Sequence, residues 1–111
     1  MKQFARALDL KDDPEVIAAY KEYHERVWPE VKSALKEVGV HQMKIWLLGC
    51  QLVMIIDVDD DFDPAVNFAH YMTLHPKIQE WEDIMGEYQL THPMAKEGTR
   101  WADMELVFQL V

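Results

Sequence analysis

The sequence predicts an α+β domain of the ferredoxin-like split βαβ kind, with an antiparallel sheet and helices on one face. Three observations carry that prediction. Segments of alternating polarity, readable as strands, lie at both ends of the chain and in its middle. Two stretches of helical periodicity separate them, each interrupted by a proline. The resulting order, β–αα–β–β–αα–β, runs twice through one layout of strand, Pro-interrupted helix and strand, with no identity between the halves. The chain has 111 residues, and residues 1–111 read as one domain.

Lys2–Leu10 reads as the first strand, with Phe4 and Leu8 apolar and Arg6 between them. Asp12-Asp13-Pro14-Glu15 is a helix start: an acid to cap, Pro in the first turn and an acid beside it. Val16, Tyr20, Tyr23 and Val27 then share a helix face. Pro29 predicts a break near Trp28 and a restart, continued by Val31, Leu35 and Val38 up to Gly39. Gln42–Leu48 reads as a strand with Met43, Ile45 and Leu47 on one face and Gln42, Lys44, Trp46 and Leu48 on the other. Leu52–Val58 is its partner across the Gly49-Cys50 turn, apolar on both faces. Asp63-Pro64 opens a helix through about Leu74, and His75-Pro76 breaks it. Ile78, Trp81, Ile84 or Met85, and Tyr88 mark the next helix. Gln89–Arg100 reads as a loop and Trp101–Val111 as the closing strand.

The outer sheet face should be polar if it meets water. Here it carries Trp46 and Leu48, which predicts that a second copy covers it in a homodimer. Net charge argues about other partners. With 11 basic and 20 acidic side chains the formal charge is −9, which repels nucleic acid and acidic membranes. A small ligand is the expectation. The single cysteine, Cys50, forms no internal disulfide, and no secretory h-region or membrane-length apolar run is present. A cytoplasmic protein is expected.

Tyr20 and His24 are four apart, on one helix face, and Trp28 lies a further turn along. A histidine held partly dry among aromatic rings titrates near neutrality, which suits proton transfer to and from a hydroxyl. The plainer reading is that these rings fill the core. Trp28, Trp46, Trp81 and Trp101 are many tryptophans for this length. They suit the apolar faces of sugar rings, and they equally suit core and interface packing. His41, His70, His75 and His92 lack metal-ligand spacing, so no metal site is expected. The run Asp57–Asp63 has Phe62 where a calcium loop needs glycine, and reads as a connector with a helix cap. Glycine is too sparse for a phosphate loop.

The run His24-x-x-x-Trp28-Pro29-Glu30, with Tyr20 one turn earlier, resembles the L-rhamnose mutarotase family, including its L-fucose mutarotase-like relatives. So do Ile45-Trp46, Leu52–Val58, Trp81-Glu82 with Met85, Ala95-Lys96, Gly98, Trp101 and Glu105-x-x-Phe108, which together cover nearly the whole chain. The resemblance implies a dimeric α+β barrel that binds a 6-deoxy-hexose in each subunit and interconverts its α and β anomers. It carries the catalytic histidine onto His24 and a pocket tyrosine onto Tyr20. A second family tyrosine falls near Met43 or Trp46, neither of which is Tyr, so Met43 is expected to line the pocket. Gly86 stands where an aromatic residue is expected, and Leu90-Thr91-His92-Pro93 is atypical.

Anomer exchange opens a hemiacetal and closes it again. It needs a base for the anomeric hydroxyl and an acid for the ring oxygen, but no redox step, so no cofactor is expected. General acid–base help of about 10²–10⁴ suffices. The expected roles are His24 as the main acid/base and Tyr20 as a residue that positions or shares a proton, with Trp28, Trp46 and Trp81 as apolar walls. Two other readings stay open. One is a cofactor-free monooxygenase or lactone isomerase on the same kind of barrel, and the other is a non-catalytic binding module.

Overall fold

The computed structural model describes residues 1–111. Its elements are β1 (Lys2–Leu10), α1 (Pro14–Glu25), α2 (Pro29–Glu37), β2 (Val40–Leu48), β3 (Gln51–Val58), α3 (Pro64–Tyr71), α4 (Pro76–Tyr88), β4 (Gln89–Leu90) and β5 (Ala102–Asp103). All four helices begin with proline, whose missing N–H costs nothing in a first turn. Three have side-chain caps. Asp13 accepts from the Glu15 N–H, Asp63 from the Ala65 N–H, and the His75 imidazole from the Lys77 N–H. The cap role of His75 explains why the third helix ends at Tyr71, short of the predicted Leu74. The chain must leave the helix to bring His75 into its extended cap conformation.

The sheet order is β2–β3–β1–β4, with β5 also on β1 and every pairing antiparallel. This is the split βαβ order expected from the sequence. Gly39, at φ +102°, turns α2 into β2, and a Cβ there would stand 2.6 Å from an Asp59 carboxylate oxygen.

Strand alternation divides the sheet into two faces. Leu8 and Leu10 of β1, with Leu52, Met54, Ile56 and Val58 of β3, are buried beneath the helices. There they meet Tyr20, Val31, Ala34, Phe62, Tyr71, Ile78, Trp81 and Met85 in a single core. Met43, Ile45 and Leu47 pair with Ile56, Met54 and Leu52, so they face the same way. Trp46 pairs with Val53 on the opposite face.

Two expectations are corrected at the C-terminal end. Gln89-Leu90 is a short strand on Leu10 and Asp9, where a loop was expected. The strand expected over Trp101–Val111 pairs only at Ala102 and Asp103, followed by one bond from the Met104 N–H to the Ala5 carbonyl. The Arg6 guanidinium donates to the Asp103 carboxylate at 3.0 Å and holds this end to β1. Past Met104 the chain leaves the β1 edge. Leu106, Phe108 and Leu110 are then at least 73% exposed, although the Lys2–Phe4 edge of β1 on this side carries no other strand.

Candidate active site

Tyr20 and His24 sit one turn apart on α1, on the side turned toward the sheet. Their ring centroids are 4.3 Å apart at 33°. The His24 Nδ1–H donates to the Tyr20 carbonyl oxygen at 2.8 Å. A carbonyl oxygen only accepts, so this bond keeps the proton on Nδ1 and leaves Nε2 as the exchangeable nitrogen. No side-chain nitrogen or oxygen is both sealed from solvent and unpartnered. Nε2, which makes no bond to the protein, is therefore accessible.

Burial sets the charge states. It lowers the His24 pKa from the ordinary 6.5, against a weaker upward pull from the carbonyl bond. The imidazole is then neutral at physiological pH, with a lone pair on Nε2. Burial pushes the Tyr20 hydroxyl up to about 12, only partly offset by a hydrogen bond from Gln89. Tyr20 keeps its proton and can donate it. The pair thus offers a base and a donor side by side.

Both residues line a cavity of about 420 Å³ between α1, α2 and the helix-side face of β2 and β3. That volume falls within the ~300–1,000 Å³ range of small-molecule sites. Val27, Leu35, Met43, Ile45, Leu47 and Leu52 form an aliphatic wall, and Lys21 and Lys32 complete the lining. A second concavity of about 380 Å³ lies between α2 and the α3–α4 turn, around Glu30, Glu37 and His75, and is lined by no tyrosine or tryptophan. No group of three His, Cys, Asp or Glu side chains is placed to hold a metal ion.

Of the residues singled out from the sequence, Tyr20, His24 and Met43 therefore come together at one cavity. Trp81 is buried behind them, edge-on to His24 at 5.5 Å, to Trp28 at 5.3 Å and to Tyr23 at 5.9 Å. It braces the imidazole from the core side. Trp28 packs on Trp81 and has the Lys77 ammonium 5.3 Å from its ring centre. Neither lines the cavity, whose walls are aliphatic. Trp46 is 61% exposed on the other face of the sheet. Its position as a cavity wall is corrected by the period of two along β2, which cannot turn Met43 and Trp46 the same way.

Sequence reasoning missed a polar network next to Tyr20. The Gln89 amide donates to the Tyr20 hydroxyl oxygen at 3.4 Å, and its carbonyl oxygen accepts from Arg100 Nε at 2.7 Å. Arg100 also meets the Glu82 carboxylate at 3.3 Å, and the Tyr71 hydroxyl donates to Glu82 at 3.4 Å. Burial raises the Glu82 pKa, opposed chiefly by the Arg100 charge. One sequence signal pointed here. Glu82 and Gln89 are seven apart, and so share the stripe of Ile78 and Met85 that packs into the core.

The sequence model of the L-rhamnose mutarotase family matches residues 3–110. A UPF0734 protein of Dictyostelium discoideum is 43% identical, over 98% of this chain and 90% of its own length. An L-fucose mutarotase of Xanthomonas campestris is 36% identical, over 99% of this chain and 89% of its own length. Among solved structures, an L-rhamnose mutarotase from Formosa agariphila superposes with a TM-score of 0.72, covering all of both chains at 23% identity.

Proposed function

The chain belongs to the L-rhamnose mutarotase family, and on that premise we propose that it interconverts the α and β anomers of L-rhamnose or L-fucose by acid–base catalysis at His24 and Tyr20. Its class is that of an isomerase acting on sugars, of the aldose-mutarotase kind. The observation that carries the reading is the paired state of the two side chains. A neutral imidazole with a free Nε2 lies against a protonated phenol, at one end of a cavity walled by aliphatic groups.

The step balances without any other reactant. His24 Nε2 takes the proton from the anomeric hydroxyl as the bond from C1 to the ring oxygen breaks. Tyr20 passes its proton to that ring oxygen, and C1 becomes the aldehyde carbon. Rotation about C1–C2 presents the other carbonyl face. Closure returns one proton to Tyr20 and the other to the new anomeric hydroxyl. The aliphatic wall around Met43, Ile45 and Leu47 suits the methyl end of a 6-deoxy sugar, and Trp81 keeps the imidazole aligned.

The working unit is a homodimer in the cytoplasm. Trp46 and Leu48, 61% and 79% exposed, stand on the outer sheet face beside the half-buried Val53 and Ile55. A second copy of the 1–111 domain seated there shields them. The lone Cys50 suits a reducing compartment. The aliphatic cavity beside a histidine–tyrosine pair favours this reading over an oxygenase or a passive binding module.

The test is saturation transfer between the α and β anomeric protons of L-rhamnose and of L-fucose, followed by NMR with and without the protein. Accelerated exchange of either sugar is expected. Unchanged exchange of both would overturn the proposal.

A further inference from the structure

Tyr20 lines the cavity, and it can act as a donor there only if its hydroxyl proton is not spent on a neighbouring protein group. Arginine has donors and no acceptor. Its bond from Nε to the Gln89 carbonyl oxygen, at 2.7 Å, therefore fixes which way round the Gln89 amide lies. The NH₂ group must then face Tyr20, and it donates to the hydroxyl oxygen at 3.4 Å. With that oxygen accepting from Gln89, the phenolic proton is left for another acceptor. The direction of donation runs from Arg100 to Gln89 to Tyr20, each bond polarising the next.

Every member is held in place. Gln89 is buried, and its backbone belongs to the short strand paired with Leu10. The Arg100 carbonyl accepts from the His92 N–H at 2.9 Å, and Glu82 grips the guanidinium at 3.3 Å while accepting from Tyr71. Gly86 faces the guanidinium. A Cβ at that position would lie 3.3 Å from Arg100 Nη1, so a larger side chain takes the space that Arg100 occupies.

We infer that Gln89 and Arg100 are positioning residues that commit the Tyr20 hydroxyl to donating into the cavity, with Gly86 as the gap that admits the guanidinium. The inference rests on the acid–base reading given above. It also assigns the pair a role during the step: as the phenol gives up its proton, the Gln89 N–H and the Arg100 charge stabilise the oxygen left behind. A bond that is long at rest tightens as that charge develops.

Gln89→Glu is the sharpest test. The new carboxylate still accepts from Arg100, but its second oxygen accepts from Tyr20 and draws the proton away from the cavity. The rate of anomer exchange at saturating sugar should fall about tenfold or more, below the 10²–10³ typical of losing a direct oxyanion donor, while KM stays near the wild-type value. Gln89→Met, which adds no buried charge, should lower the same rate by a smaller factor. In a Tyr20→Phe background neither substitution should have any further effect, because the hydroxyl it acts through is gone. Wild-type rates in both Gln89 variants would overturn the inference. So would a Gln89→Glu loss of equal size with and without the Tyr20 hydroxyl, since that is the mark of a merely structural role.

His24→Ala separates the two claims. If it abolishes exchange and the Gln89 variants do not slow it, the positioning role fails alone. If His24→Ala retains exchange, the acid–base reading at His24 fails, and the Gln89 variants still decide the positioning role: a rate loss that vanishes in the Tyr20→Phe background supports it, and an unchanged rate overturns it.

Discussion

The two faces of the sheet are built from the same strands and are put to different uses. On the helix side Leu8, Leu52 and Ile56 are at most 1% exposed, and the strand ends at β2 open into the cavity beside Tyr20 and His24. On the outer side Ala5, Ala7, Val53 and Ile55 form a shallow apolar surface edged by Trp46 and Leu48. The chain alone covers the first face with its helices and leaves the second open. A residue's neighbour in sequence is therefore a poor guide to its role here. Ile45 and Trp46 are adjacent, yet one lines the cavity and the other points away from it.

That contrast breaks first at the core. Ile56→Ala empties a fully buried position and should cost about 2–5 kcal/mol in chemical denaturation. Ile55→Ala, one residue away on the outer face, should cost clearly less at protein concentrations low enough to separate the subunits. Equal losses would mean that both faces are equally dry within one chain. Next in size is the interface. Trp46→Glu should shift sedimentation velocity from dimer to monomer while the far-ultraviolet circular dichroism stays native, since a charge at a desolvated contact opposes association. A wild-type sedimentation pattern would remove the outer face as the site of pairing. A smaller effect is expected inside the cavity. Met43→Ala widens the aliphatic wall, and should raise KM for the 6-deoxy sugar by several-fold with kcat little changed, about 1 kcal/mol of uniform binding.

The smallest effect is on pH dependence. Because burial lowers the folded-state His24 pKa below 6.5, the base proposed for exchange is already neutral at pH 7. Exchange rates should be flat above pH 6.5 and fall as the pH drops through the folded value. Stability follows the same sign. The unfolded chain binds a proton at higher pH than the folded one, so this contribution is complete above 6.5 and is lost as the pH falls through the folded pKa. In His24→Ala the stability profile should lose that component. A rate that climbs steadily from pH 7 to 9 would instead point to a base with a higher pKa.

Much of this architecture was legible because its signals are local. Pro14, Pro29, Pro64 and Pro76 mark the helix starts directly, and the alternation in β2 already separated Met43, Ile45 and Leu47 from Trp46 and Leu48. The same alternation argued against Trp46 as a cavity wall, where residue type had suggested one. What was not legible depends on distant partners. Nothing near Arg100 in the chain indicates that it reaches Glu82 and Gln89, because those contacts exist only once α4 lies against the final loop. Gly86 read as a departure from the family pattern, and only the fold sets the Arg100 guanidinium beside it. The C-terminal segment was overread for a related reason. Its alternating pattern is real, yet pairing to β1 stops at Met104, and the apolar residues beyond it find no core within the chain to pack against.

The central claim is that anomer exchange is carried out by the His24–Tyr20 end of the helix-side cavity. Its most direct test is saturation-transfer NMR on L-rhamnose and L-fucose with wild-type protein, His24→Ala and Trp46→Phe at equal concentration. The account predicts accelerated exchange for the wild type and for Trp46→Phe, and a fall of about 10²–10⁴ toward the uncatalysed rate for His24→Ala. Full activity in a folded His24→Ala protein, or its loss in Trp46→Phe alone, would contradict it.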